Sequence, residues 1–129
     1  VMAINLDAAV ALPRAIVPAV AKRGWGREVH DPSAPAIKGY RNTAAYSASK
    51  FALRAFADSL RADEPLLRVT SIHPGRVDTE MQRDLVAYEG GEYDPSRYLS
   101  PQTVAQVTAD AINAPPDAHV HEVIVRPRR

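Results

Sequence analysis

Cysteine is absent from this chain, so it can form neither a disulfide framework nor a thiolate metal site. That absence fits a reducing compartment, and a cytoplasmic location is the expectation. An excess of charge is missing too: 16 Lys and Arg stand against 15 Asp and Glu, a net charge of +1. A nucleic-acid binder gathers its cations on one stripe. The only basic cluster here is the tail Arg126, Arg128 and Arg129, which reads as a solvated end, and no nucleic-acid partner is expected. Glycine is scarce, and Gly24-Trp25-Gly26 is a two-glycine turn, not a phosphate cradle. The longest apolar stretch, Ala8 to Ala21, is interrupted by Pro13, Arg14 and Pro18, and no basic segment precedes it. Neither a membrane span nor a signal peptide is therefore expected. His119 and His121 alternate without a third ligand nearby, and no metal site is expected.

What is present fits one domain, or a piece of one, since 129 residues can bury a single core. Ala3 to Val20 has apolar residues at helical spacing, with a kink or break expected at Pro13, where a backbone hydrogen bond is lost at a cost of about 3 kcal/mol. Gly26 to Asn42 has no strand alternation, and Arg27 to Pro32 is expected to be exposed or poorly ordered. From Thr43 a helical stripe runs through Ala48, Phe51, Ala52, Ala55, Phe56 and Leu60 to Pro65. Leu67 to Ile72 reads as a buried strand ended by His73, Pro74 and Gly75, with His73 a packed residue. Arg76 to Leu99 is a long polar excursion with a short helix near Glu80 to Val86. Ser100 as N-cap and Pro101 as first helical residue open a helix to about Ala114, and His121 to Val125 is the last strand. This alternation predicts an α/β protein with a parallel sheet.

Tyr46 and Lys50 form a Tyr-x-x-x-Lys step, which on a helix places phenol and ammonium on one face, a turn apart. An ammonium about 4 Å from a phenol, at an effective dielectric of 20, contributes about 4 kcal/mol towards phenolate. The pair can therefore act as an acid and base. Taken alone the step arises often by chance, as a half-buried Tyr beside a surface Lys. The surroundings are more specific. Tyr46-Ser-Ala-Ser-Lys50-Phe-Ala-Leu-Arg-Ala-Phe is followed by a strand ending His73-Pro-Gly-Arg-Val-Asp-Thr79, and preceded by Ser33 and by Asn5-Leu-Asp-Ala-Ala. This set, in this order, resembles the active-site segment of the short-chain dehydrogenases/reductases, and the resemblance spans nearly the whole chain.

The resemblance implies the C-terminal, catalytic and substrate-binding part (1–129) of a doubly wound, Rossmann-like sheet. It also implies an NAD- or NADP-dependent oxidoreductase that interconverts a small-molecule carbonyl and alcohol. Tyr46 would be the general acid and base, and Lys50 its tuner and a ligand of the nicotinamide ribose. Ser33 would hydrogen-bond the substrate oxygen, and Asn5 would hold a relay water. Pro74, Gly75, Val77 and Thr79 would line the nicotinamide. The intact family member would be a homo-oligomer, a dimer or tetramer. The family's Thr-Gly-x-x-x-Gly-x-Gly turn, which binds the pyrophosphate at a helix N-terminus, is not found in this sequence. Neither is the Asn-Asn-Ala-Gly turn. The chain therefore reads as a truncated form without the N-terminal dinucleotide-binding βαβ units, expected to be inactive by itself. The alternative is a non-catalytic remnant or helix-pairing module. A second departure is Glu28 to Pro32, where the family has an apolar strand; buried unpaired, Glu28 and Asp31 would each cost several kcal/mol. Ser33 matches by spacing alone.

Overall fold

A computed structural model describes residues 1–128, with the backbone alone at residue 35. Three parallel strands, β1 (Gly26–His30), β2 (Leu67–Pro74) and β3 (Glu122–Val125), lie in the order β1-β2-β3. The helices are α1 (Ala8–Arg23), α2 (Ala44–Asp63), α3 (Glu80–Tyr88) and α4 (Pro101–Ile112). On one face of the sheet, Val20 of α1 and Phe56, Ala57 and Leu60 of α2 close over Leu67 and Val69. On the other, Ala111 and Ile112 of α4 lie beside Arg68 and Thr70. Helices on both faces of a parallel sheet give the α/β class that the alternation predicted and the doubly wound arrangement that the resemblance implied.

Two local expectations are corrected. The helix is not broken at Pro13 or Pro18; both lie inside α1, and the irregular turn comes earlier, as a π-helical segment at Ala3–Asp7. Pro13 is buried, so packing holds the backbone where one hydrogen bond is missing. α1 ends at Gly24, whose φ of 87° closes the helix in the left-handed conformation that glycine adopts without strain. The continuous helical run Ala3–Arg23 is long and apolar enough to cross a membrane, by length and composition, and only 11% of its apolar window is buried within this chain.

The larger correction concerns Arg27 to Pro32. Gly26 to His30 form a regular strand in register with Leu67 to Ser71, not an exposed loop. Alternation turns Gly26, Glu28 and His30 inward and leaves Arg27 exposed. Glu28 is not unpaired: His30 Nε2 lies 2.9 Å from its Oε1, and the two side chains are 5% and 4% exposed. The approach has the distance of an ion pair without the angle of a hydrogen bond, which leaves both Glu28 oxygens and His30 Nε2 without a hydrogen-bond partner among the described residues. Phe56 covers His30 edge-on at 5.8 Å. Asp31 is exposed, and Pro32, though buried, follows the paired residues and removes no donor from the ladder.

α2, β2, α3, α4 and β3 lie where periodicity and caps predicted. Ser100 Oγ accepts from the Thr103 amide at 3.1 Å, as an N-cap should. α2 is tied to β3 by Arg54, whose Nε donates to Glu122 Oε1 at 2.8 Å, and to β2 and the residue before β3 by Arg61, which donates to the Val69 and His121 carbonyls. Within the basic tail, Arg126 donates to the His73 carbonyl at 3.3 Å; Arg129 lies outside the described residues.

Candidate active site

In an open α/β sheet, ligands bind beyond the carboxyl ends of the strands. Ser33 follows β1 there, Gly75 follows β2, and α2 starts its first turns with Tyr46 and Lys50. Tyr46 is 39% exposed. The Lys50 ammonium lies 5.6 Å from the Tyr46 ring centroid and donates to the Asp31 carbonyl at 2.8 Å. Ser33 Oγ donates to Asp31 Oδ1 at 2.9 Å. Asp31 thus joins Lys50 through its backbone and Ser33 through its side chain.

In the sequence Asp31 shows only as a burial cost. Its position two residues before Ser33 is the signal that could have found it, since Asp side chains commonly bond local groups two residues on. Ser33 itself has φ 65° and ψ 175°, a region almost reserved for glycine, at a cost of order 1–3 kcal/mol. Its carbonyl accepts from His73 Nδ1 at 3.2 Å.

Asn5 lies in the π-helical turn, and its amide donates to Ser49 Oγ at 3.0 Å. Ser49 Oγ in turn donates to the Tyr46 carbonyl at 2.7 Å. Asn5 is therefore brought against α2 beside Lys50, with its amide engaged by Ser49. Pro74 ends β2, and the Gly75 amide donates to the Val125 carbonyl at 2.8 Å. A Cβ on Gly75 would lie 3.0 Å from Pro127 Cδ, so glycine accommodates the close approach of two chain segments here without displacing that ring. Thr79 caps α3, accepting from the Gln82 amide at 3.2 Å.

Beyond Thr79 the polar excursion is closed at its base. Val77 bridges to Leu99, the Asp78 amide donates to the Leu99 carbonyl at 2.7 Å, and the Leu99 amide donates to the Arg76 carbonyl at 3.0 Å. Asp78 Oδ1 also accepts from Tyr93 Oη at 2.5 Å and from Arg83 Nη2 at 2.9 Å, and Tyr93 stacks on Tyr98 at 4.9 Å. The Tyr93 hydrogen bond, and then Arg83, hold the Asp78 carboxyl below the usual aspartate range. Burial first, then the bond to Asp78, pushes the Tyr93 phenol up.

His119 and His121 pack edge to face at 4.5 Å, and His119 Nε2 donates to the Val69 carbonyl. Burial lowers the His119 imidazole below its ordinary value. Among the described residues no group of three His, Asp or Glu could hold a metal ion.

The family model for short chain dehydrogenases matches residues 1–90. The chain is 39% identical over 121 residues to a 1-deoxy-11-beta-hydroxypentalenate dehydrogenase of Streptomyces arenae, covering 88% of this chain and 42% of that protein. It is 33% identical over 131 residues to a dehydrogenase/reductase SDR family protein 7-like of Drosophila melanogaster, covering 95% and 40%. The chain therefore spans less than half the length of these relatives. Among solved structures it is similar to an NADP-bound 3-oxoacyl (acyl-carrier-protein) reductase from Agrobacterium tumefaciens. That match has a TM-score of 0.83 and 22% identity, over 99% of this chain and 54% of that one. With the matched family model covering most of its length and the strands and helices arranged as described, this chain belongs to the short-chain dehydrogenase/reductase family of oxidoreductases.

Proposed function

We propose that this chain carries the catalytic part of an NAD- or NADP-dependent oxidoreductase that interconverts a small-molecule carbonyl and its alcohol, with Tyr46 as general acid and base. The observation that carries this reading is the cluster at the carboxyl ends of β1 and β2. Tyr46 is open to solvent, Lys50 lies one turn on, and Asp31 ties Lys50 to Ser33. In the reducing direction Tyr46 Oη gives its proton to the carbonyl oxygen, and in the oxidising direction it takes one from the alcohol. Lys50 favours the negative charge that this transfer leaves on the phenol oxygen. Ser33 fixes the substrate oxygen near Tyr46.

The donor set suits the nicotinamide end of a dinucleotide: an ammonium for ribose hydroxyls, the Thr79 hydroxyl for a carboxamide, and the Pro74-Gly75 turn as an apolar wall. When bound, the dinucleotide supplies or accepts the hydride. No glycine-rich turn in this sequence serves the pyrophosphate. With that binding unit present or supplied, Tyr46→Phe is expected to abolish carbonyl reduction and leave dinucleotide affinity nearly unchanged. Turnover within about tenfold of the parent would sink the assignment. The chain alone is expected to show no micromolar binding in a fluorescence titration with NADH or NADPH.

A second reading, a helix-pairing module without catalysis, draws on the exposed apolar surface of α1 and on Phe51, which is 43% exposed. It predicts a dimer in solution whose association weakens with Phe51→Glu, while Tyr46→Phe changes no activity.

A further inference from the structure

We propose that His73 is a buried imidazolium that positions Ser33, joining the serine's carbonyl to Glu122 through both ring nitrogens. His73 is fully buried, at 0% exposure. Its Nδ1 lies 3.2 Å from the Ser33 carbonyl oxygen, and its Nε2 lies 3.2 Å from Glu122 Oε1. Both partners are acceptors. A peptide carbonyl has no proton to give, and the Glu122 side chain accepts from Arg54 at both of its oxygens, at 2.8 and 3.2 Å. A neutral imidazole has one N–H and one lone pair, so it satisfies only one of these neighbours and turns its lone pair on the other. Both bonds form together only when both nitrogens carry protons, and at this burial no water reaches a ring nitrogen left without its bond.

The charges around the ring are disposed for this. Glu122 on β3 faces Nε2, with Arg54 of α2 behind it. Arg126, after β3, donates to the His73 carbonyl and not to the ring. The Glu28–His30 pair of β1 lies on the same face of the sheet, Lys50 of α2 donates to the Asp31 carbonyl, and the Asp31 side chain accepts from Ser33 Oγ. Ser33 is held in its strained conformation at two points, its hydroxyl by Asp31 and its carbonyl by His73. Loss of the His73 proton gives up one end of the strut, and the serine's placement becomes dependent on pH. The role of Ser33 in catalysis rests on the function proposed above, whereas the protonation of His73 and its grip on the Ser33 backbone do not.

The test is a nitrogen-15 NMR titration of the imidazoles in the chain itself. At pH 7 His73 is expected to show both nitrogens protonated, and a single neutral tautomer there would overturn the proposal. In Glu122→Gln the side chain can turn its amide to the ring and donate, so the doubly protonated signature is expected to be lost at pH 7. Its persistence would overturn Glu122 as the counter-charge. The Ser33 amide resonance is expected to move with the same midpoint as the His73 ring; a Ser33 resonance indifferent to that titration would overturn the positioning role. These readouts need no turnover, so a failed Tyr46→Phe test would leave them standing.

Discussion

Glu28 and His30 offer the most direct test of how β1 is stabilised. As an ion pair their attraction at 2.9 Å would be about 6 kcal/mol at an effective dielectric of 20. Against it stand the desolvation of two ions, several kcal/mol each, and three polar atoms without hydrogen-bond partners among the described residues, each costing about 1–3 kcal/mol. These costs exceed the attraction, so the pair contributes nothing that a well-packed apolar pair would not. Replacing both, Glu28→Val with His30→Ile, is expected to leave the fold as stable as the parent or to stabilise it by up to about 4 kcal/mol. For a chain of this size that is a rise in Tm of up to roughly 15 °C. Glu28→Val alone leaves His30 buried under Phe56 without its partner, and should cost about 3 kcal/mol. The measurement is a double-mutant cycle from urea denaturation followed by circular dichroism, with m unchanged across the four proteins. A double variant clearly less stable than the parent would refute the reasoning, because the pair would then contribute more than apolar packing can replace.

Two further outcomes are expected. Lys50→Met, in the protein supplied with a dinucleotide-binding unit, should weaken both cofactor affinity and turnover; an unchanged pH profile with unchanged affinity would make Lys50 a surface residue. Asp78→Asn should loosen the excursion that begins at Thr79, read as faster tryptic cleavage at Arg83 and Arg97. The folded carboxyl is held below its ordinary range, so the parent's clamp contributes fully above that range and is lost only as pH falls through the lowered value. Equal cleavage rates for variant and parent at neutral pH would show that the Val77–Leu99 bridge closes the loop unaided.

The elements legible in the sequence were those with a local signature. α2 shows in its helical stripe, α4 in Ser100 and Pro101, β2 in the run Leu67 to Ile72, and the Tyr46–Lys50 pair in i,i+4 spacing. Each needs only neighbours within a turn or two along the chain. β1 was hidden because its inward positions are Gly26, Glu28 and His30, which no strand pattern favours. Pairing with Leu67 to Ser71 and the cover of Phe56 make it a strand. Pro13 and Pro18 look like helix breakers in isolation, and α1 runs through both, because burial of Pro13 holds the backbone. The same division holds in the site. Tyr46 and Lys50 could be paired from residue types and spacing, and Ser33 and the Pro74-Gly75 turn could be named from the family resemblance, but not that Lys50 binds the Asp31 carbonyl, 19 residues away, or that His73 Nδ1 meets the Ser33 carbonyl from 40 residues away. Spacing along the chain determines which side chains share a helix face. Contacts between distant segments are set by strand register and by the few ways the helices can cover the sheet, and those only the tertiary structure decides.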